Sequence, residues 1–248
     1  MRTFRGMRRF AVLAVIALTV GALVAGPATA AGHFAGARSA APSPGDTLRS
    51  FVEAAGKGDA GRMWSLLSTQ TQRRFGPDLT RFRKGMAVEL TEGVGAFARS
   101  GGYRVRLSDA LSESWAIAVI TGRRSVEGQV EDGAYGVALR GDGAAWKLEL
   151  GGPVRLRILG PHAGEVITHP GPQTAFEAKA PTAIEGAILY ADGKGVDARS
   201  GGTSPRAVTF FGNATGVKAK GVHFAAALAV TATEGSAVAW AFRLVPAK

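Results

Sequence analysis

The sequence contains no cysteine. Disulfides, thiolate metal ligands, thiol nucleophiles and cysteine-linked lipid are therefore all excluded. Histidine is scarce: only His33, His162, His169 and His223 occur, none of them between residues 46 and 150. No G-x-S-x-G, S-x-x-K or H-E-x-x-H is present, so the common nucleophile and zinc-hydrolase signatures are missing. No apolar run reaches the roughly 20 residues that a membrane-spanning helix needs. Stability must come from packed apolar cores, and any chemistry must come from carboxylates, basic groups or pocket shape.

What is present divides along the chain. Arg2, Arg5, Arg8 and Arg9 precede an apolar run from Phe10 to Val24, and "GPATAA" follows with small residues at Ala28 and Ala30. This is the order of a secretory signal peptide, and it predicts cleavage after Ala30 and a secreted or cell-surface protein. Once it is cleaved no membrane span is expected. Residues 31–45 are small and Pro-rich, a flexible linker. Loss of the four leader arginines lowers the net charge from +11 to +7, thinly spread. That suits loose attraction to anionic polymers or headgroups and gives no reason to expect a nucleic-acid partner in an exported protein.

In residues 46–150 the apolar positions Leu48, Phe51, Val52 and Ala55 form a helical stripe that Asp46 or Thr47 can cap. Asp59 can cap a short second helix carrying Met63, Trp64, Leu66 and Leu67. A third helical stretch covers Leu79 to Ala98, with a break expected near Gly93. From Tyr103 the period changes to two. Tyr103/Val105/Leu107, Trp115/Ile117/Val119, Tyr135/Val137/Leu139 and Trp146/Leu148/Leu150 each read as a strand with one buried face. "RGDGAA" at 140–145 reads as a hairpin turn. Helices followed by an antiparallel sheet make an α+β domain.

Residues 151–248 carry no useful helical stripe. Strand candidates lie at 154–158, 176–180, 186–191, 207–212, 222–231 and 237–245. In the fifth, Val222, Phe224, Ala226, Leu228 and Val230 share a face; in the last, Val238, Trp240, Phe242 and Leu244 do. Short strands at this spacing predict an all-β sandwich.

"FVEAAGKGDAGRMWSLLSTQTQRRFG" resembles the opening of nuclear transport factor 2-like domains in exported bacterial proteins, and "GDGAAWKLEL" resembles their last hairpin. The resemblance implies a cone of helices on a curved antiparallel sheet over residues 46–150. Family members include ligand binders, cyclases, isomerases and structural modules. "RILGPHAGEVI" and the "DGK" of "LYADGKGVDA" resemble bacterial immunoglobulin-like domains, which implies an adhesive or spacing sandwich over 151–248. The antibody-type cysteine pair is missing.

The candidate sites follow. Trp64, Tyr103, Trp115 and Tyr135 could line an apolar ligand pocket or simply fill the core. Glu89, with Glu92 beside it, could turn inward as an acid–base group of a cyclase or isomerase; otherwise both stand on an exposed helix face. Arg73, Arg74, Arg81, Arg83 and Lys84 oppose one acid, Asp78, and could touch an anionic cell-wall polymer or lie on a solvated surface. His162 and His169 flank the start of the second domain and could meet around one metal only with remote carboxylates; the plainer reading is two loop histidines. Asp192 and Asp197 bracket a lysine, which fits a turn better than a calcium or phosphate loop. No cofactor is expected. The expected partners are a small apolar ligand, a wall polymer or an envelope protein.

Overall fold

The computed structural model describes residues 41–245 apart from Pro77, Glu127 and Ala144. The expected leader at 1–30, most of the expected linker and His33 lie outside the described residues. Everything described belongs to one compact unit, mostly β, with its six helices gathered at the start.

The helices are α1 (Pro44–Gly56), α2 (Ala60–Leu66), α3 (Thr69–Arg74), α4 (Leu79–Lys84), α5 (Met86–Gly93) and α6 (Gly95–Arg99). The first is capped by Ser43, not by Asp46 or Thr47. The Ser43 side chain accepts from the Asp46 amide, and Asp46 reaches back to the Ser43 amide, a reciprocal capping box with Pro44 at the first turn. Asp59 caps α2 as expected. The long stretch from Leu79 breaks twice, at Gly85 and at Val94, so that Phe82, Leu90 and Phe97 all reach one core.

Four strands follow as an antiparallel meander, β1 (Arg104–Ala110), β2 (Trp115–Val126), β3 (Gln129–Asp142) and β4 (Ala145–Glu149). Nine more build the sandwich: β5 (Arg155–Gly160), β6 (Val166–Ile167), β7 (Gln173–Lys179), β8 (Gly186–Ala191), β9 (Lys194–Gly195), β10 (Arg199–Ser204), β11 (Ala207–Asn213), β12 (Gly221–Val230) and β13 (Gly235–Leu244). One sheet runs β10-β11-β7-β5 and the other β6-β13-β12-β8-β9. The chain leaves the first sheet after β5 and joins the second as β6, which pairs parallel with β13 at Val166–Arg243 and Ile167–Leu244. That order, with its early strand switch, is an immunoglobulin-like arrangement.

Three apolar layers hold these sheets. The first lies between the helices and one face of the meander, where Leu48, Phe51, Met63, Phe82 and Phe97 meet Ala118, Ile120, Val137 and Leu148. The second fills the sandwich, with Phe176, Leu189, Trp240 and Phe242 at its centre. The third joins the two: Leu107, Ile117, Val119 and Ala138 of the meander face Tyr190, Phe224, Ala226 and Leu228 of the sandwich.

The third layer assigns the two faces of β12 to different cores. Phe224, Ala226 and Leu228 point out of the sandwich, toward the meander. The residues of β12 that enter the sandwich core are Ala225, Ala227 and Ala229. Phe224 to Ala229 are all buried, as are Trp115 to Ile120 of β2. Both strands are covered on both faces, which is why each reads as a nearly continuous apolar run.

Candidate ligand cleft at the junction

The third layer ends in an open cleft of about 500 Å³. One wall is the arm formed by the far ends of β2 and β3, with Arg124, Val130, Glu131 and Asp132. The other is the sandwich, with Val222 and Arg243. Val130 is 57% exposed and Val222 is 46% exposed, high values for aliphatic side chains. The charges of the cleft are matched. Arg124 Nη2 lies 2.6 Å from Glu131 Oε1, and Arg243 Nη2 lies 2.9 Å from Asp132 Oδ2. The second pair crosses the cleft between meander and sandwich. The result is an amphipathic groove with no excess charge from these four groups, suited to a small ligand with apolar surface.

A polar cluster closes another edge of the same junction. The Glu149 side chain is fully buried, and Arg74 Nη1 lies 2.6 Å from its Oε1, an ionic contact and not a well-directed hydrogen bond. Ser68 Oγ donates to Glu149 Oε2 at 2.6 Å. Arg74 also donates to the Leu150 carbonyl at 2.9 Å and pairs with Glu234 of the sandwich. Arg140 donates to the Thr233 carbonyl at 3.0 Å and lies over the Trp115 ring. Tyr190 Oη donates to Asp109 Oδ2 at 2.5 Å across the junction. Burial pushes the Tyr190 hydroxyl well above the usual phenol range, and the Asp109 carboxylate pushes the same way.

The aromatic candidates do not line this cleft. Trp64, Tyr103 and Tyr135 pack against the helix–sheet core, Trp64 with its ring 5.2 Å from that of Phe82. Trp115 is buried at the junction, under Arg140 and against Gly235. The inward reading of Glu89 needs correction. Glu89 and Glu92 are both exposed, because Ala87 and Leu90 take the buried face of α5. Among the anionic-surface candidates, Arg73, Arg81, Arg83 and Lys84 are exposed, whereas Arg74 is spent on Glu149 and Glu234.

His162 and His169 line one shallow cleft with Glu165. Glu165 already accepts from the His162 amide, and among the described residues no group of three ligands is placed for a metal. Nor among them is any helix long and apolar enough to cross a membrane.

"LYADGKGVDA" is the β8–β9 hairpin. Tyr190 pairs with Gly195 and Ala191 with Lys194, leaving Asp192 and Gly193 as a two-residue turn with φ of 49° and 80°. Both positive values fit the tight hairpin class that Asp-Gly favours. Asp192 is more than a turn residue. Its Oδ1 accepts from the Phe224 amide at 3.1 Å, and its Oδ2 lies 2.6 Å from His223 Nδ1. His223 Nε2 lies 2.8 Å from the Ala219 carbonyl. The His223 side chain is only 10% exposed. Sequence reasoning missed this link because its partners stand 31 residues apart and belong to no local motif.

No family model matches this chain, and no curated protein matches it. Solved structures of similar shape are distant. An endo-beta-1,4-mannanase from Thermotoga petrophila matches with 9% identity and a TM-score of 0.32, over 38% of this chain and 20% of that one. The titin fragment A168169 matches with 10% identity and a TM-score of 0.28, over 58% and 99%. The titin tandem immunoglobulin domains A164-A165 match with 7% identity and a TM-score of 0.27, over 59% and 98%. This chain thus spans about a fifth of the mannanase. Likenesses this weak carry no argument, and the immunoglobulin-like description rests on the strand order itself.

Proposed function

We propose that this is an exported, non-catalytic binding and scaffold protein of the bacterial envelope or medium. In this reading residues 46–150 are a nuclear transport factor 2-like module, fused to an immunoglobulin-like spacer at 151–248. The observation that carries the proposal is the junction. The meander is covered by helices on one face and by the sandwich on the other. Such packing favours a rigid body whose recognition surface lies where the parts meet. The amphipathic groove between Val130 and Val222 is the place for a small apolar ligand.

The test is native mass spectrometry of the protein secreted by its own host. A chain starting at Ala31 with a retained small molecule, lost on Val222→Glu, supports the proposal. A bare chain that takes up no apolar probe, such as anilinonaphthalene sulfonate, overturns the groove.

A second reading, binding of an anionic wall polymer through the helices, is favoured by the exposure of Arg73, Arg81, Arg83 and Lys84. None of the four makes an ion pair among the described residues. Binding that ignores salt would count against it. The cyclase or isomerase alternative has lost its named base, since Glu89 and Glu92 stand in solvent.

A further inference from the structure

A larger cleft, of about 1010 Å³, lies at the edge of the sandwich where the chain crosses from the five-stranded to the four-stranded sheet. Its chemistry is the opposite of the junction groove. Lys194, Arg199 and Lys218 line it against a single acid, Asp197. All four side chains are exposed, and none is in an ion pair among the described residues. Positive charge that is matched residue by residue at the junction is left over here.

Two further features separate this cleft from an ordinary basic surface. Phe211 lines it, half-buried, on the strand position opposite Arg199. The amides of Gln173 and Asn213 stand beside it as a cross-strand pair, offering both donors and acceptors. An aromatic face with neighbouring amides suits the mixed apolar and hydroxyl surface of a sugar ring. The excess cations suit a carboxylate on that ring.

The walls are also tied together before any ligand arrives. One wall runs from the β8–β9 turn through Lys194, and the other from Ala214 to Lys218. His223 lies between them, its Nδ1 on Asp192 of the turn and its Nε2 on the Ala219 carbonyl next to Lys218. A cleft held open this way avoids part of the ordering cost of binding.

We infer that this sandwich-edge cleft binds an anionic saccharide, a sugar chain bearing carboxylates, through Lys194, Arg199 and Lys218 with Phe211 as the ring platform. This site is separate from the junction groove, and its failure would leave the apolar-ligand reading untouched.

The experiment is calorimetric titration of the full secreted chain with oligogalacturonate, neutral dextran oligomers and inorganic polyphosphate, at low and moderate salt. The expected result is salt-sensitive binding of oligogalacturonate with little uptake of dextran. Lys194→Ala combined with Lys218→Ala should weaken it at least tenfold. Phe211→Ala should weaken oligogalacturonate but leave polyphosphate unchanged. A triple Arg81→Ala, Arg83→Ala, Lys84→Ala variant should bind as the parent does. Three results would overturn the inference: no oligogalacturonate binding, binding that Phe211→Ala does not alter, or loss only in the triple helix variant. A thermal melt of each variant separates lost binding from lost folding, and the exposed Lys194 and Lys218 keep that test available if Phe211→Ala is unstable.

Discussion

Arg74 shows how one side chain can carry several elements. Removing it would leave the fully buried Glu149 side chain short of its cation. Breaking a buried pair from one side costs about 3–5 kcal/mol. Arg74 is itself partly exposed, so Arg74→Ala is expected at the lower end, about 3 kcal/mol by urea unfolding. Arg74→Met combined with Glu149→Leu should recover at least half of that loss, because the stranded carboxyl group is then gone.

The three tyrosines make a second residue-scale prediction. Burial raises the hydroxyl of each, with the Glu53 charge adding at Tyr103 and the Asp109 carboxylate adding at Tyr190. A group raised in the folded state stabilises the fold fully below its unfolded value. That stability is lost as pH climbs from the unfolded value, about 10, toward the folded one. Stability should therefore fall above about pH 10. Absorbance titration should show tyrosinate appearing late in the folded protein and near the normal pH in denaturant. Ordinary tyrosinate formation with the fold intact would contradict this.

Elements were legible in proportion to how local their signals are. The α1 stripe, the Asp59 cap and the Asp192-Gly193 turn are set by neighbours within a few residues, and the fold keeps them. The alternating stretches are strands, but the single buried face expected of β2 becomes two, and at 140–145 Asp142 pairs with Ala145 as a strand residue ahead of the turn. Helix α3 escaped because its sequence, TQTQRR, has no apolar stripe; it is anchored by Thr71 and Arg74 to the β4 region. Strand β12 was found with Phe224, Ala226 and Leu228 on one face, but "VHFAAALAVT" alternates too weakly to say which side meets which sheet. The uninterrupted apolar run was the available signal that both sides are buried. Leu228→Ala should accordingly cost about 2–5 kcal/mol as a core truncation. A surface-like effect near zero would mean that the third layer is not packed. Candidate sites were less legible than elements. Both clefts are built from segments far apart in sequence, and only tertiary pairing brings them together.

At the scale of the whole molecule, the junction decides how the parts behave. Gly136 shows how closely they meet: a Cβ there would lie 2.9 Å from the backbone nitrogen of Ala239 on β13. Gly136→Val should be destabilising by about 1–3 kcal/mol through overpacking. With an apolar layer and several cross-junction polar contacts, residues 41–245 are expected to unfold in one calorimetric transition, with equal calorimetric and van't Hoff enthalpies. Two resolved transitions would show that the helix–sheet part and the sandwich are thermodynamically separate.

Strand β2 lies beneath helices on one side and beneath the sandwich on the other. Water reaches its central amides only when both coverings let go. In deuterium oxide, Ala116 to Ile120 should therefore be the last backbone positions to label, at a rate set by global opening and not by local fraying. The isotope clock of this one segment would then report the stability of the entire protein.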